Sequence, residues 1–317
     1  MKTAIIVPTY NRPLLLKRML KSLAECEFPD QDDIDIIIVE NGKKAGTEEV
    51  CREHTIGGRV RYTFIDEACK SVALNTTIRT SDADFFIFFD DDLTFPKKIV
   101  STYLAAAKRY GAGHFFGGPL IADNEVLCPP HLVPYLPPSS KDWTLGDREI
   151  KIDQSHTDMF FGANWAAFKA DFEKVGHFSE DLGVTSSQLS PLGEETALQH
   201  DLLKGQVQGV YLPDAVIYHL VPKECYTMKW VRNRKARHGV TDYILHHQEK
   251  TDIKQLFGIP AWTIRALFQE HLKLAGSLFS FSRIEKRTKL LMRISYLNGI
   301  VYGARSRRKE TRNINRV

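Results

Sequence analysis

The chain has 317 residues, 43% of them hydrophobic and 26% charged, enough to bury a full core without a disulfide or a structural metal. Its five cysteines (Cys26, Cys51, Cys69, Cys128, Cys225) are scattered, with no C-x-x-C pair and no zinc spacing to histidine. That pattern excludes a disulfide scaffold or zinc finger and fits a reducing, cytosolic setting. Net charge is +4, yet from Arg283 onward eleven Lys/Arg face only Glu285 and Glu310, so a mildly acidic body carries a basic tail.

In chain order, the opening run Met1 to Pro8 enters a strand at once and leaves no room for a secretory signal. Strands are predicted at Ala4 to Val7, Ile34 to Val39, Val60 to Ile65, Phe85 to Phe89 and His114 to Gly117. Between the first two, Leu14, Leu15, Met19, Leu20 and Leu23 recur at helical spacing, with Asn11 as the expected cap and Pro13 in the first turn. Runs such as Ile36-Ile37-Ile38-Val39 do not alternate with polar residues, as expected of strands buried on both faces. The pattern predicts an α/β fold with a mainly parallel sheet flanked by helices.

The proline-rich stretch Cys128 to Ser140 reads as a loop. A strand over Met159 to Phe168, a short helix near Ala170 to Val175, a loop rich in Gly and Ser and a helix over Glu194 to Leu203 follow. Val207 to Tyr211 and Ala215 to His219 read as a strand pair. Beyond Tyr226 the pattern is helical and amphipathic to about Ala304. We expect residues 1–225 to form the catalytic domain, with 1–120 as its nucleotide-binding half and 121–225 as its acceptor half. Residues 226–317 are expected to be a helical, basic extension.

Three consecutive carboxylates, Asp90-Asp91-Asp92, end the apolar strand Phe85 to Phe89 at the carboxyl edge of the predicted sheet, where open α/β folds bind ligands. A divalent cation offsets such repulsion, since Mg²⁺ and Mn²⁺ take one or two carboxylates plus phosphate oxygens and water; a solvated acidic turn is the alternative. Pro8-Thr9-Tyr10-Asn11-Arg12 and Glu40-Asn41-Gly42 end the first two strands on the same edge and offer an aromatic ring, small polar groups and a carboxylate to a nucleoside. Each is also ordinary turn chemistry.

The ordered series Ile5-Ile6-Val7-Pro8-Thr9-Tyr10-Asn11-Arg12, Ile37-Ile38-Val39-Glu40-Asn41-Gly42, Ala73-Leu74-Asn75 and Phe89-Asp90-Asp91-Asp92 resembles a family 2 glycosyltransferase of the GT-A fold. The resemblance continues through Phe161-Gly162-Ala163-Asn164 and Val175-Gly176-His177-Phe178-Ser179-Glu180 to Gly193-Glu194-Glu195, covering about the first 220 residues. It implies a nucleoside-diphosphate sugar as donor, Mn²⁺ or Mg²⁺ as cofactor, and inversion at the anomeric carbon. Asp90 and Asp92 match the outer aspartates of the D-x-D motif, with Asp92 on the metal, Asp90 on the metal or the donor ribose, and Asp91 on the donor side. Pro8, Thr9, Tyr10, Arg12 and Glu40 match the nucleotide pocket. Glu195 matches the general base, with Glu194 beside it.

The helix dipole alone also favours two glutamates in a first helical turn. His219, at the end of Ala215-Val216-Ile217-Tyr218, matches a third metal ligand or is a structural histidine. Lys70 and Asn75, with Arg79 on the same helix, offer groups to the diphosphate or form a solvated face. Asn164 and Trp165 resemble an acceptor-side segment, the tryptophan stacking on a sugar or filling the core. His131, His156, His177 and the pair His246-His247 read as surface or packing residues.

Glu40 and Glu195 replace the more usual aspartates, Lys43 stands where serine is common, and the Q-x-x-R-W motif of processive synthases is absent. Together with the lack of a spanning helix, that argues for transfer of a single sugar rather than chain extrusion, and a glycan or lipid-linked acceptor is expected. The basic run Lys229 to Gly239 suits a lid over the diphosphate or an anionic acceptor, and no nucleic-acid module accompanies it. The apolar positions Leu272, Ala275, Leu278, Phe279, Leu290, Leu291, Ile294 and Leu297, set among basic residues, suit peripheral contact with the cytoplasmic face of the inner membrane, packing on the chain itself, or an oligomer. No stretch reaches the roughly 18 to 20 apolar residues of a spanning helix. Two alternatives stand beside this reading: a sugar-nucleotide pyrophosphorylase on a similar sheet, although such enzymes usually open with a glycine-rich phosphate loop where this chain has Pro8-Thr9-Tyr10-Asn11-Arg12, and a non-catalytic sugar-nucleotide-binding scaffold.

Overall fold

The computed structural model describes residues 1–246, 254–256, 258–278 and 284–314, with side chains to residue 306 apart from that of Leu278. His247 and Phe279, and the basic side chains from Arg307 on, lie outside the described residues. The chain forms two compact units. One comprises residues 1–124, 137–186 and 194–221, and the other residues 125–136, 187–193 and the chain from Pro222 onward.

In the first unit the elements run β1 (Lys2–Thr9), α1 (Pro13–Ala24), β2 (Asp33–Asn41), α2 (Thr47–Glu53), β3 (Val60–Ile65), α3 (Lys70–Thr80), β4 (Phe85–Phe89), β5 (Leu93–Thr94) and α4 (Ile99–Tyr110). They continue with β6 (His114–Gly117), β7 (Leu120–Asn124), β8 (Ile150–Ile152), β9 (Asn164–Phe168), α5 (Lys169–Val175), α6 (Glu194–Lys204), β10 (Gln208–Tyr211) and β11 (Ile217–Val221). Eight strands form the main sheet in the order β3-β2-β1-β4-β9-β6-β10-β8. The four strands β3, β2, β1 and β4 are parallel; β9 runs antiparallel to β4 and β6, and β8 antiparallel to β10.

Successive side chains of a strand point to opposite faces, so an unbroken apolar strand feeds two cores. Ile5, Val7, Phe85, Ile87 and Phe89 pack with Leu16, Met19 and Leu20 of α1 and with Tyr103 and Leu104 of α4. Ala4, Ile6, Phe86 and Phe88 pack with Leu74 and Ile78 of α3, Phe172 of α5 and Leu198 and Leu202 of α6. At about 1.5–3 kcal/mol for each fully buried large apolar side chain, β4 with its five buried residues is the anchor of the unit, and it delivers the aspartates at its end.

Several local expectations are corrected. Asn11 is not the cap of α1: the N-cap is Arg12, without a side-chain bond, and Asn11 sits in the left-handed region at φ 55°, which asparagine tolerates well in turns. The strand expected from Met159 begins only at Asn164, because the backbone of Phe160 bonds to the Gln199 amide of α6 through both its N–H (2.9 Å) and its C=O (3.0 Å). The two strands expected to pair around Leu212 to Asp214 join different sheets. β10 stays in the main sheet, whereas β11 lies between β5 and β7 in a three-stranded sheet.

The second unit contains α7 (Met228–His246), the short strands β12 (Gln255–Leu256) and β13 (Ile259–Pro260), α8 (Ala261–Leu278) and α9 (Ile284–Ile314). Helices α7 and α9 meet at backbone distance: a side chain at Gly239 would strike the carbonyl of Tyr296, and one at Gly299 the carbonyl of Ala236. Leu290, Ile294 and Leu297 of α9 are buried, and Leu297 and Ile300 pack with Tyr243 and Ile259. The apolar face predicted for α9 is therefore largely spent inside the unit, while Phe268 and Leu272 of α8 stand exposed at 66% and 57%. Among the described residues no helix is long and apolar enough to cross a membrane.

Candidate active site

The site is built at the carboxyl edge of the main sheet, all of it within the first unit. Lys70 opens α3, Asp90 to Asp92 follow β4, and Glu194 and Glu195 open α6. The Lys70 ammonium donates to Asp90 Oδ1 at 3.0 Å and to Glu195 Oε1 at 2.7 Å, with Glu194 Oε1 3.9 Å away. Burial works against the Lys70 charge, but Asp90, Glu195 and Glu194 outweigh it and raise its pKa well above the ordinary value. Asp90 is shifted the other way: burial opposes its charge, and Lys70 holds its carboxyl below the usual range. Lys70 thus ties the first aspartate of the triplet to the candidate base.

Glu194 is turned inward and buried. Burial first, and the charge of Glu195 second, push its carboxyl up to about 8, so at neutral pH it holds a proton and hydrogen-bonds Glu195. Beneath Glu195 lies Gly162, where any Cβ would collide with the glutamate carboxyl carbon. The Gln199 bonds to Phe160 fasten this loop to the helix that carries Glu195. Sequence reasoning placed Gly162 inside a matching segment but gave it no role; only the close approach reveals one.

The other two aspartates differ. Asp91 is buried, accepts a 2.6 Å bond from the Thr9 hydroxyl, and shares the Arg12 guanidinium with Asp92, each at 3.3 Å. Burial drives the Asp91 carboxyl up to about 7 against the pull of Arg12. Asp92 is also shifted upward, by burial and then by Asp90. Its Oδ1 is buried without a hydrogen-bond partner and lies 3.6 Å from His219 Nε2. The ladder explains the meeting: His219 pairs with Leu93, and Leu220 N–H bonds to the Asp92 carbonyl at 3.0 Å.

Among the described residues no three Asp, Glu, His or Cys side chains converge into a complete metal cage. A two-ligand set still fits Mg²⁺ or Mn²⁺. Two ligands at about 2.1 Å from one ion stand about 3 Å apart when cis, and such ions complete their octahedron with phosphate oxygens and water. The partnerless Asp92 oxygen facing an imidazole nitrogen is the feature that suits it.

Other candidate residues are drawn into the scaffold. Glu40 is buried, and its carboxylate accepts from the Ala45 N–H (2.8 Å), the Thr47 hydroxyl (2.6 Å) and the Tyr62 hydroxyl (2.7 Å). Asn75 fastens the loop after α5, donating to the Phe178 carbonyl and Glu180 and accepting from the Phe178 N–H. Arg79 pairs with Glu180. Asn164 joins Tyr103 to the carbonyls of Pro119 and Ala215. Trp165 is 0% exposed and stacked on Phe88 at 4.7 Å, so the core reading replaces sugar stacking: β9 lies between β4 and β6 and turns this ring inward. Pro8 lies in β1 beside Val39. Tyr10 remains 41% exposed, one ring edge against Gly42.

The sheet order and the acidic edge define a GT-A type nucleotide-sugar transferase fold. The same fold is seen in the mannosyltransferase PcManGT from Pyrobaculum calidifontis in complex with GDP-Man and Mn²⁺, at a TM-score of 0.55, 17% identity, and coverage of 95% of this chain and 86% of that one. It is also seen in S. aureus TarS 1-349 in complex with UDP-GlcNAc, at a TM-score of 0.56, 12% identity, and coverage of 98% and 92%. Residues 4–176 match the family described as glycosyl transferase family 2, and the chain belongs to that family. A curated relative, the GalNAc(5)-diNAcBac-PP-undecaprenol beta-1,3-glucosyltransferase of Campylobacter jejuni, is 29% identical over 189 residues, 57% of this chain and 56% of its own length. The chain spans about half the length of this and other curated relatives it matches.

Proposed function

We propose that this chain transfers one sugar from a nucleoside-diphosphate sugar to a hydroxyl of a glycan or lipid-linked acceptor, inverting the anomeric carbon, with Glu195 as general base. The observation that carries this reading is one cluster of charged side chains in which Lys70 links Asp90 to Glu195 while the partnerless oxygen of Asp92 faces His219. Asp92 and His219 would hold Mn²⁺ or Mg²⁺, which when bound supplies a Lewis acid for the departing diphosphate. Glu195 takes the proton of the attacking hydroxyl, a contribution of about 10²- to 10⁴-fold in comparable reactions. Protonated Glu194 and charged Lys70 both hydrogen-bond Glu195 and fix its aim. Arg12, bridging Asp91 and Asp92 and 53% exposed at its side chain, is placed to turn toward the diphosphate. Tyr10 offers an open ring to the base.

The exposed Phe268 and Leu272 of α8 support reversible contact with the cytoplasmic face of a membrane, near a lipid-linked acceptor. Flotation with anionic liposomes tests that part, and equal recovery of wild type and Phe268→Ser would refute it. For the reaction itself, a thermal-shift panel of nucleoside diphosphates with and without Mn²⁺ is followed by transfer assays with the stabilising donor. We expect metal-dependent stabilisation and glycosyl transfer. Incorporation of a nucleoside triphosphate into a sugar nucleotide, or nucleotide binding without transfer across a donor and acceptor panel, would overturn the reading.

A further inference from the structure

The second unit carries a polar cleft whose lining lies outside the residues proposed for sugar transfer. Lys229, Arg232, Asn233 and Ala236 follow i, i+3, i+4, i+7 spacing along one face of α7. With Ser295 and Asn298 of α9 they line an open cavity of about 350 Å³. The lining contains two cations, two amides and a hydroxyl, and no carboxylate. Among the described residues no acidic group forms an ion pair with Lys229 or Arg232.

The guanidinium is held in place. Arg232 Nε donates to the Ser295 hydroxyl at 3.1 Å, and Ser295 is itself buried. One of five arginine N–H donors is thereby used and the four terminal ones remain for a ligand, in the planar fork that matches two oxygens of a phosphate. Lys229 stands in the first turn of α7, where the helix dipole adds positive potential. Asn233 and Asn298 supply neutral donors for further oxygens. Both cations are exposed and have no ion-pair partner among the described residues, so an anion is the ligand their charge favours.

We propose that the α7–α9 cleft binds a phosphate or diphosphate group, carried either by a lipid headgroup or by a free phosphate compound. The inference stands apart from the transfer reading, because no residue of the cleft belongs to the pocket around Asp92 and Glu195.

The test uses the full chain, with pyrophosphate titrated calorimetrically at about physiological salt and flotation on phosphatidylcholine vesicles with and without phosphatidic acid. Asn298→Asp places a carboxylate in the cleft at an exposed position, and Lys229→Gln with Arg232→Gln removes its cations. Lys273→Gln on α8 is the control for general positive charge. We expect pyrophosphate binding that both cleft variants weaken by about tenfold or more, the loss of a charge-assisted bond, with thermal stability unchanged in Asn298→Asp. Flotation on phosphatidic acid that pyrophosphate competes away assigns the phosphate to a lipid headgroup, and pyrophosphate binding without flotation assigns it to a free compound. Binding that the cleft variants leave unchanged, binding that the control weakens equally, or no binding to any probe overturns the proposal.

Discussion

Glu40 and Asp92 are acidic residues at or just beyond the ends of nearby strands of one sheet, and the protein treats them in opposite ways. The carboxylate of Glu40 is satisfied by Ala45, Thr47 and Tyr62, whereas Asp92 keeps a buried oxygen without a partner opposite His219. A buried carboxylate whose acceptor sites are filled stabilises its loop. One left open costs desolvation without return until a ligand arrives. We propose that the acidic edge divides on this difference, with Glu40 as scaffold and Asp92 in the site.

Substitutions on either side test that division. The largest expected effect is at Glu195: Glu195→Gln should lower transfer by about 10²- to 10⁴-fold while calorimetry shows the donor still binding. Unimpaired turnover would remove Glu195 as base. Asp92→Asn should cost about 10²- to 10³-fold in kcat, as for loss of one charge-stabilising contact, and abolish the Mn²⁺-dependent thermal shift given by a nucleoside diphosphate. Gly162→Ala pushes the Glu195 carboxyl aside, so kcat should fall by about 10²-fold, the cost of a misplacement of about 1 Å, with KM for the donor little changed.

Glu40→Gln tests the scaffold side: denaturant unfolding should show a loss of about 1–3 kcal/mol, with transfer per folded molecule nearly intact. A selective loss of nucleotide binding would instead return Glu40 to the site. The smallest effect concerns Glu194, whose carboxyl moves from an ordinary 4.5 to about 8 on folding. The folded chain keeps a proton that the unfolded chain releases, so this group erodes stability as pH rises from about 4.5 to about 8. Tm profiles of Glu194→Gln should gain on wild type across that window and converge below it; parallel profiles would show Glu194 to be ionised in the fold.

Much of the first unit was legible in its pattern. Unbroken apolar runs marked β1, β2 and β4 because a strand covered on both faces needs no polar positions, and the aspartates were found from their place at a strand end. What failed was where tertiary partners overrode local preference. The Gln199 amide took the backbone of Phe160 out of a strand, and β11 left its expected neighbour for β5 and β7. Trp165 was open between an acceptor-side ring and a core residue until its strand was seen to lie between two others.

The class of fold, the acidic edge and the set of charged residues available there are readable along the chain, since they follow from periodicity and composition. Only the tertiary structure decided which of those charges meet. Lys70 reaching Glu195, His219 facing Asp92, Gly162 clearing space for the Glu195 carboxyl and Lys229 with Arg232 without an ion-pair partner among the described residues are all contacts or gaps between side chains. A linear pattern carries periodicity but not the distances between elements that packing sets.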